Sequence, residues 1–343
     1  MGEFRLYPST AVWEITFLCN MRCLHCGTAA GEKRKDELNT EEALKLIDDL
    51  AELGCEFLTL SGGEPLLRKD WRELAKKLIQ RKIKLGIVTN GWCVNDEVAK
   101  DFKEIGFNMV GVSFDGTEKT HDMIRRTKGS YKKAYQALKT IRESGQNVCA
   151  LTQVSKLNLK ELDDIYHDLL SIGIPLWRIQ MTTSTGRMCE MRDGTMLPED
   201  MPELARKILK IRDEMKIEID VGENIGYYGE LGENLWRGFP YLGCYAGCRV
   251  IGIESNGNIK GCLSMPEDCV EGNIRQRPLK DIWFDMSLFS YNRKFSPDKA
   301  EGFCKDCPHI KMCRCGCATT ALGSTGNRFN NPYCLFRLET EKK

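Results

Sequence analysis

AVWEITFLCNMRCLHCG, residues 11–27, begins as an apolar, β-branched run and ends in Cys19, Cys23 and Cys26. The run reads as a strand over 11–18, so the Cys-x3-Cys-x2-Cys loop starts where the first strand stops. Thiolates spaced so closely converge on one soft metal centre at little ordering cost. A [4Fe-4S] cube held by three of them keeps one iron without a protein ligand. An open iron can bind a small molecule.

Outward from that stretch the same alternation repeats. Short Val-, Ile- and Phe-rich runs at 56–61, 84–90, 109–115, 147–154 and 177–182 interleave with amphipathic helices over 40–53, 70–81, 95–105, 130–144 and 159–171. Six βα units predict an α/β fold, a partial (β/α)6 barrel two units short of a closed one. Such a barrel gathers its functional loops at the carboxyl ends of the strands. The cysteine triplet lies there, and so do Gly62-Gly63-Glu64-Pro65, Asn90, and Ser113 with Asp115.

Three segments follow from this rhythm: a barrel over 1–182, a bridge over 183–243, and a small domain over 244–343 that carries eight of the cysteines in spaced positions. In the bridge, Pro198 and Pro202 open a helix to about 216, and 217–221 reads as a strand. Beyond Cys244 long periodic segments are scarce, with a hairpin around Ser255–Asn258 and a short helix near 278–286. So little apolar surface leaves metal clusters to hold that domain together.

Fifty basic and forty-nine acidic residues provide no basic stripe for nucleic acid or anionic lipid. No signal segment opens the chain, and no apolar run approaches the roughly 18 residues of a membrane span. The expected location is cytoplasmic, where thiols stay reduced and a cysteine-rich pattern reads as metal binding, not as a disulfide framework.

The stretch CNMRCLHCG resembles the cluster loop of the radical SAM superfamily. The resemblance implies that Cys19, Cys23 and Cys26 hold a catalytic [4Fe-4S] cluster whose open iron chelates S-adenosylmethionine. It implies that Gly62, Gly63, Glu64 and Pro65 line the methionine part, that Asn90, Ser113 and Asp115 contact the ribose or carboxylate, and that Arg125, or Arg126 beside it, faces the carboxylate with a charge-assisted fork. His25 is then a packing or hydrogen-bonding neighbour of the cluster.

From Cys244 the chain resembles the SPASM extension of that superfamily: Cys244, twelve residues, Gly257, four residues, Cys262, then Cys304-x2-Cys307-x5-Cys313-x3-Cys317, then Cys334. Carried over, Cys244, Cys248, Cys262 and Cys317 hold one auxiliary [4Fe-4S] cluster, and Cys304, Cys307, Cys313 and Cys334 the other, with Cys315 able to replace a neighbour. Taken alone, Cys304, Cys307, Cys313 and Cys315 would also suit a zinc ribbon. Cys55, Cys93, Cys149, Cys189 and Cys269 read as small buried residues.

The resemblance implies three [4Fe-4S] clusters, electrons from a flavodoxin- or ferredoxin-like donor, reductive cleavage of S-adenosylmethionine to a 5′-deoxyadenosyl radical, and hydrogen abstraction from substrate. Two fully ligated auxiliary clusters favour oxidative outcomes. The expected substrate is a ribosomally synthesised peptide that is crosslinked, dehydrogenated or rearranged. The first strand begins near residue 11, so a separate leader-peptide recognition protein is expected to deliver it. The alternative is a tetrapyrrole side-chain maturase of the heme pathway. Sulfatase maturation fits less well, because Leu263 and not an Asp follows Cys262. A zinc scaffold or iron-sulfur electron relay is the non-enzymatic alternative.

Overall fold

Seven parallel strands lie side by side in chain order: β1 Thr10–Glu14, β2 Phe57–Ser61, β3 Lys84–Thr89, β4 Met109–Ser113, β5 Val148–Val154, β6 Leu176–Met181 and β7 Glu218–Val221. The computed structural model describes residues 6–340; the ends of the first and third segments, 1–5 and 341–343, lie outside the described residues. On the free side of β1, β8 Val250–Ile253 pairs in parallel, and β9 Asn258–Lys260 and β10 Gly272–Asn273 complete a ten-stranded sheet with antiparallel pairings. One sheet therefore runs through all three segments.

The strands form where the sequence offers inward apolar side chains: Trp13, Leu58, Leu60, Val110, Val112 and Trp177 are fully buried. Each such burial is worth about 1.5–3 kcal/mol. Helices α1 Thr40–Glu52, α2 Trp71–Gln80, α3 Asp96–Ile105, α4 Glu118–Arg125, α5 Ser130–Glu143, α6 Leu162–Ile172 and α7 Met201–Asp213 accompany the parallel strands. In α1 the stripe Ala43, Leu46, Ile47 and Leu50 is buried, and Asn39 with Glu42 forms a reciprocal capping box at its start.

Two departures from the sequence reading concern the site. β1 stops at Glu14 and not at 18, because the backbone of 16–18 is claimed elsewhere: Thr16 and Leu18 carbonyls accept from Gly63 and Glu64 N–H groups at 2.8 Å, and the Phe17 N–H donates to Glu37 Oε1 at 2.7 Å. Helix α4 was not expected. It is short and charged, and it buries Thr120, His121 and Arg125 alongside Ile124, so it shows no apolar stripe. The strand of the bridge is β7, which extends the parallel series by pairing with β6.

A buried charge network pins the C-terminal hairpin to the barrel. Arg34 lies 3.0 Å from Glu14 on β1 and 3.5 Å from Glu254, Lys260 lies 2.5 Å from Glu254, and the Ser255 hydroxyl donates to Glu14 at 2.8 Å. No helix among the described residues is long and apolar enough to cross a membrane.

Candidate metal centres

The loop after β1 is fixed mainly through its backbone. The Cys19 N–H donates to the Gly31 carbonyl at 2.8 Å, and the Leu24 N–H to the Ile124 carbonyl in α4 at 2.8 Å. Arg187, from the bridge, donates through Nε to the Cys23 carbonyl at 2.8 Å and through Nη1 to the Ala30 carbonyl at 3.0 Å, while its own N–H reaches the Cys26 carbonyl at 3.1 Å. Gly186 before it has φ +54°, and a Cβ there would stand 2.3 Å from the Cys26 carbonyl oxygen. This strap was missed from the sequence; a Gly-Arg pair just past β6 is its signal.

The Gly62-Gly63-Glu64-Pro65 turn packs against the same loop. A Cβ on Gly63 would lie 2.2 Å from the Leu18 carbonyl oxygen and one on Gly62 2.4 Å from that of Thr16, so the close approach of residues 16–18 requires both glycines. Glu64 is fully buried and turns inward, accepting from the Thr89 hydroxyl at 2.7 Å and from the Asn90 N–H at 2.8 Å. Burial pushes its carboxyl up to about 7 against the pull of those donors. Pro65 opens a single 3-10 turn. Asn90, at the end of β3, donates through Nδ2 to Asn20 Oδ1 in the cysteine loop at 2.8 Å. Ser113, half-buried, is the last residue of β4.

Asp115 and Arg125, both assigned to the cofactor by the resemblance, lie side by side below the cysteine loop. They engage each other: Arg125 Nε donates to Asp115 Oδ2 at 2.8 Å, Nη2 donates to the same oxygen, and Nη1 points at Cys23 Sγ at 3.7 Å. Asp115 is wholly buried, and without this partner its charge would be too costly to keep. Burial pushes its carboxyl up, and Arg125, His25, His121 and the Gln153 N–H together more than offset this to leave it below the usual carboxylate range. His25 Nε2 stands 3.6 Å from Asp115 Oδ2, and its Nδ1 is buried without a partner. Cation, carboxylate and imidazole thus sit directly under the triplet. Arg126, the alternative, is the left-handed C-cap of α4.

The eight C-terminal cysteines fall around two places. Cys304, Cys307, Cys313 and Cys334 line one small cavity of about 20 Å³, together with Tyr227, Phe303, Ile310 and Asn331. Cys315 lines it too, hydrogen-bonded to Cys304 and drawing that thiol below its usual range. Cys244 and Cys262 pack together with Ala246, Met265 and Ala318, and Cys317 and Cys248 each feel the charge of Cys244. Cys317 stands at the N-cap of the helix Ala318–Thr325; burial pushes its thiol up, and the Thr320 and Thr319 N–H groups pull the other way without offsetting it.

The residues suit iron-sulfur groups. Arg293 Nη2, Arg328 Nε and Nη1 and the Tyr291 hydroxyl are buried without partners near the C-terminal cysteines, where sulfur acceptors would satisfy them. Among the described residues no three His, Cys, Asp or Glu side chains converge as a single ion demands. Thiolates on separate irons of a cube stand further apart than ligands of one zinc.

Comparison with known proteins follows the same division. Residues 13–169 match the Radical SAM superfamily and residues 244–308 match SPASM, an iron-sulfur cluster-binding domain. An AdoMet-dependent heme synthase of Methanosarcina barkeri is 28% identical over 96% of this chain and 97% of its own. An Fe-coproporphyrin III synthase of the same organism is 30% identical over 96% of this chain and 88% of its own. A mycofactocin maturase, MftC, of Mycobacterium tuberculosis is 27% identical over 90% and 78%. In fold, Streptococcus suis SuiB bound to S-adenosylmethionine superposes with a TM-score of 0.77 at 16% identity, over 95% of this chain and 76% of that one.

Proposed function

Because this chain belongs to the radical SAM superfamily and carries a SPASM iron-sulfur domain, we propose that it oxidatively modifies a tetrapyrrole of the heme pathway. The observation that supports this substrate class is the likeness to two tetrapyrrole enzymes over nearly the whole chain. When bound, the cluster and S-adenosylmethionine supply reductive cleavage of a sulfonium and removal of hydrogen from an unactivated carbon.

The chain's own residues hold and shield that chemistry. Cys19, Cys23 and Cys26 would ligate the catalytic cluster, with Arg187 fixing the loop's carbonyls and Arg125 placing positive charge beside the Cys23 sulfur. Gly62 and Gly63 let the Glu64 turn close on the loop, while Asn90 ties β3 to Asn20. Pro65, Ser113 and Asp115 complete the ring of strand ends assigned to S-adenosylmethionine, Asp115 acting through Arg125. Cys244, Cys248, Cys262 and Cys317 would hold one auxiliary cluster and Cys304, Cys307, Cys313 and Cys334 the other, a pair suited to carrying an electron away from substrate. A flavodoxin- or ferredoxin-like protein would feed the first cluster.

A ribosomally made peptide is the second reading, favoured by the likeness to a mycofactocin maturase. One anaerobic assay separates the two. With dithionite and S-adenosylmethionine, an iron coproporphyrin should be consumed in step with 5′-deoxyadenosine release, as followed by visible spectra and mass spectrometry. Turnover of a precursor peptide, delivered with its recognition protein, and none of the porphyrin would replace the first reading by the second.

A further inference from the structure

Arg328 lies between the two C-terminal cysteine sets. It is 5% exposed, and its Nη2 donates to Asn292 Oδ1 at 2.7 Å. Asn292 in turn donates through Nδ2 to the carbonyl of Ala246 at 2.8 Å, and Ala246 packs with Cys244 and Cys262. On its other flank the next residue, Phe329, packs with Cys304 and Cys315, and Asn331 lines the cavity that these cysteines share. Its remaining guanidinium nitrogens, Nε and Nη1, are buried and have no hydrogen-bond partner.

A buried cation with unfilled donors is costly, so something absent from the protein itself must accept from it. We propose that Arg328 is a shared cation of the two auxiliary clusters, donating to their sulfurs and holding both reduction potentials up. Hydrogen bonds to cluster sulfur and nearby positive charge both favour the reduced, more negative form. Its charge is felt by Cys248 in one set and by Cys304 and Cys315 in the other. Its neighbours are committed differently. Arg314 donates to the Leu242 carbonyl at 2.9 Å, and Arg293 donates to the Gly247 carbonyl at 2.6 Å and covers the rings of Trp283 and Phe289; its one unpartnered nitrogen, Nη2, belongs to a cation felt by Cys248, in the Cys244 set alone. One cation common to both sites would keep their potentials in step, which suits two centres that pass an electron in series.

The inference rests on reading the eight C-terminal cysteines as ligands of two clusters, and iron counting tests that reading separately: about eight irons beyond the catalytic cluster, or the reading fails. The inference itself is tested by redox titration, followed by electron paramagnetic resonance, of the reconstituted holoenzyme and its Arg328→Met and Arg328→Lys variants. In Arg328→Met, with iron retained, the reduced-to-oxidised ratio of both auxiliary clusters at a fixed potential should fall about tenfold, about 59 mV for a one-electron couple. Arg328→Lys should stay near the wild type. Unmoved potentials in Arg328→Met at full iron content, or a shift confined to one cluster, would overturn the proposal. If Arg328→Met fails to load, Arg328→Lys decides: wild-type potentials at full iron uphold the role of the charge, whereas shifted potentials or iron loss there too reduce Arg328 to a strut and overturn it.

Discussion

The three cysteines of the 19–26 loop and the eight between 244 and 334 are positioned by opposite means. The first set lies outside the large apolar core, which contains none of its thiols and which the C-terminal residues Ile251, Trp283 and Leu335 also join, and its loop is held by backbone hydrogen bonds, by Arg187 and by the Gly62-Gly63 turn. The second set is part of the packing. Cys313 belongs to a cluster with Tyr227, Tyr228 and Tyr241, Cys244 and Cys262 to one with Ala246 and Met265, and Cys304 and Cys315 to one with Ala300. The first region should therefore stay folded without its thiols, whereas in the second the thiols are part of the local packing and their loss should reach the fold.

The largest expected effect tests that contrast directly. Replacing Cys19, Cys23 and Cys26 together by Ala should abolish 5′-deoxyadenosine formation and remove about four irons, with circular dichroism and the melting transition little changed. Replacing Cys304 and Cys334 should instead disrupt the C-terminal segment. Equal damage to the fold from both replacements would break the comparison. A second measurement needs no mutation: after iron is stripped by a chelator, limited proteolysis should cut within 244–340 while the barrel over 10–221 stays intact. Uniform resistance of the stripped protein would show that the C-terminal packing suffices without metal.

How far the sequence reveals this depends on the kind of interaction. The strands are legible because each is an apolar run of strand length, and the cysteines because their spacing is their chemistry. What escapes is partner choice. Residues 16–18 have strand composition, yet their backbone hydrogen bonds go to the Gly63-Glu64 turn, to Gly31 and to Glu37. Asp115 and Arg125 stand out as charged residues near strand ends, but that each is the other's partner follows only from α4 folding back over the loop. Arg187 is one arginine among many in the sequence; its role appears once β6 delivers it to the Cys23 carbonyl. The position of Cys315 was open between two ligands, and the structure places it in the cavity against Cys304.

The joint between the regions is the buried network of Glu14, Arg34, Glu254 and Lys260. Arg34→Met leaves Glu14, 1% exposed, without its cation, and Glu254 with Lys260 alone. Removing one partner of a buried pair costs about 3–5 kcal/mol, so anaerobic urea unfolding should show a loss of that order. The loss should include release of the hairpin from β1, visible as faster hydrogen exchange at 250–260. A loss under about 1 kcal/mol, the value of an exposed pair, would mean that water reaches this joint.

The smallest effect sets two carboxylates against each other, one from each region. Burial raises Glu64 to about 7 from an unfolded value of 4.5, so its folded form binds the proton more tightly. The stability it contributes is complete below about pH 4.5 and is lost as pH rises through about 7, by up to about 3 kcal/mol. Glu254 runs the other way. Burial pushes it up, but Lys260 and Asn258 bring it below the usual range, so its contribution is present above its unfolded pKa and lost as pH falls through the folded one. Glu64→Gln should therefore flatten the decline in stability between about pH 5 and about pH 8, and Glu254→Gln should leave that window unchanged and act only in acid. If Glu64→Gln leaves the slope as it was, the carboxyl is already ionised in the folded protein, and the Thr89 and Asn90 donors, not burial, govern the turn beside the cysteine loop.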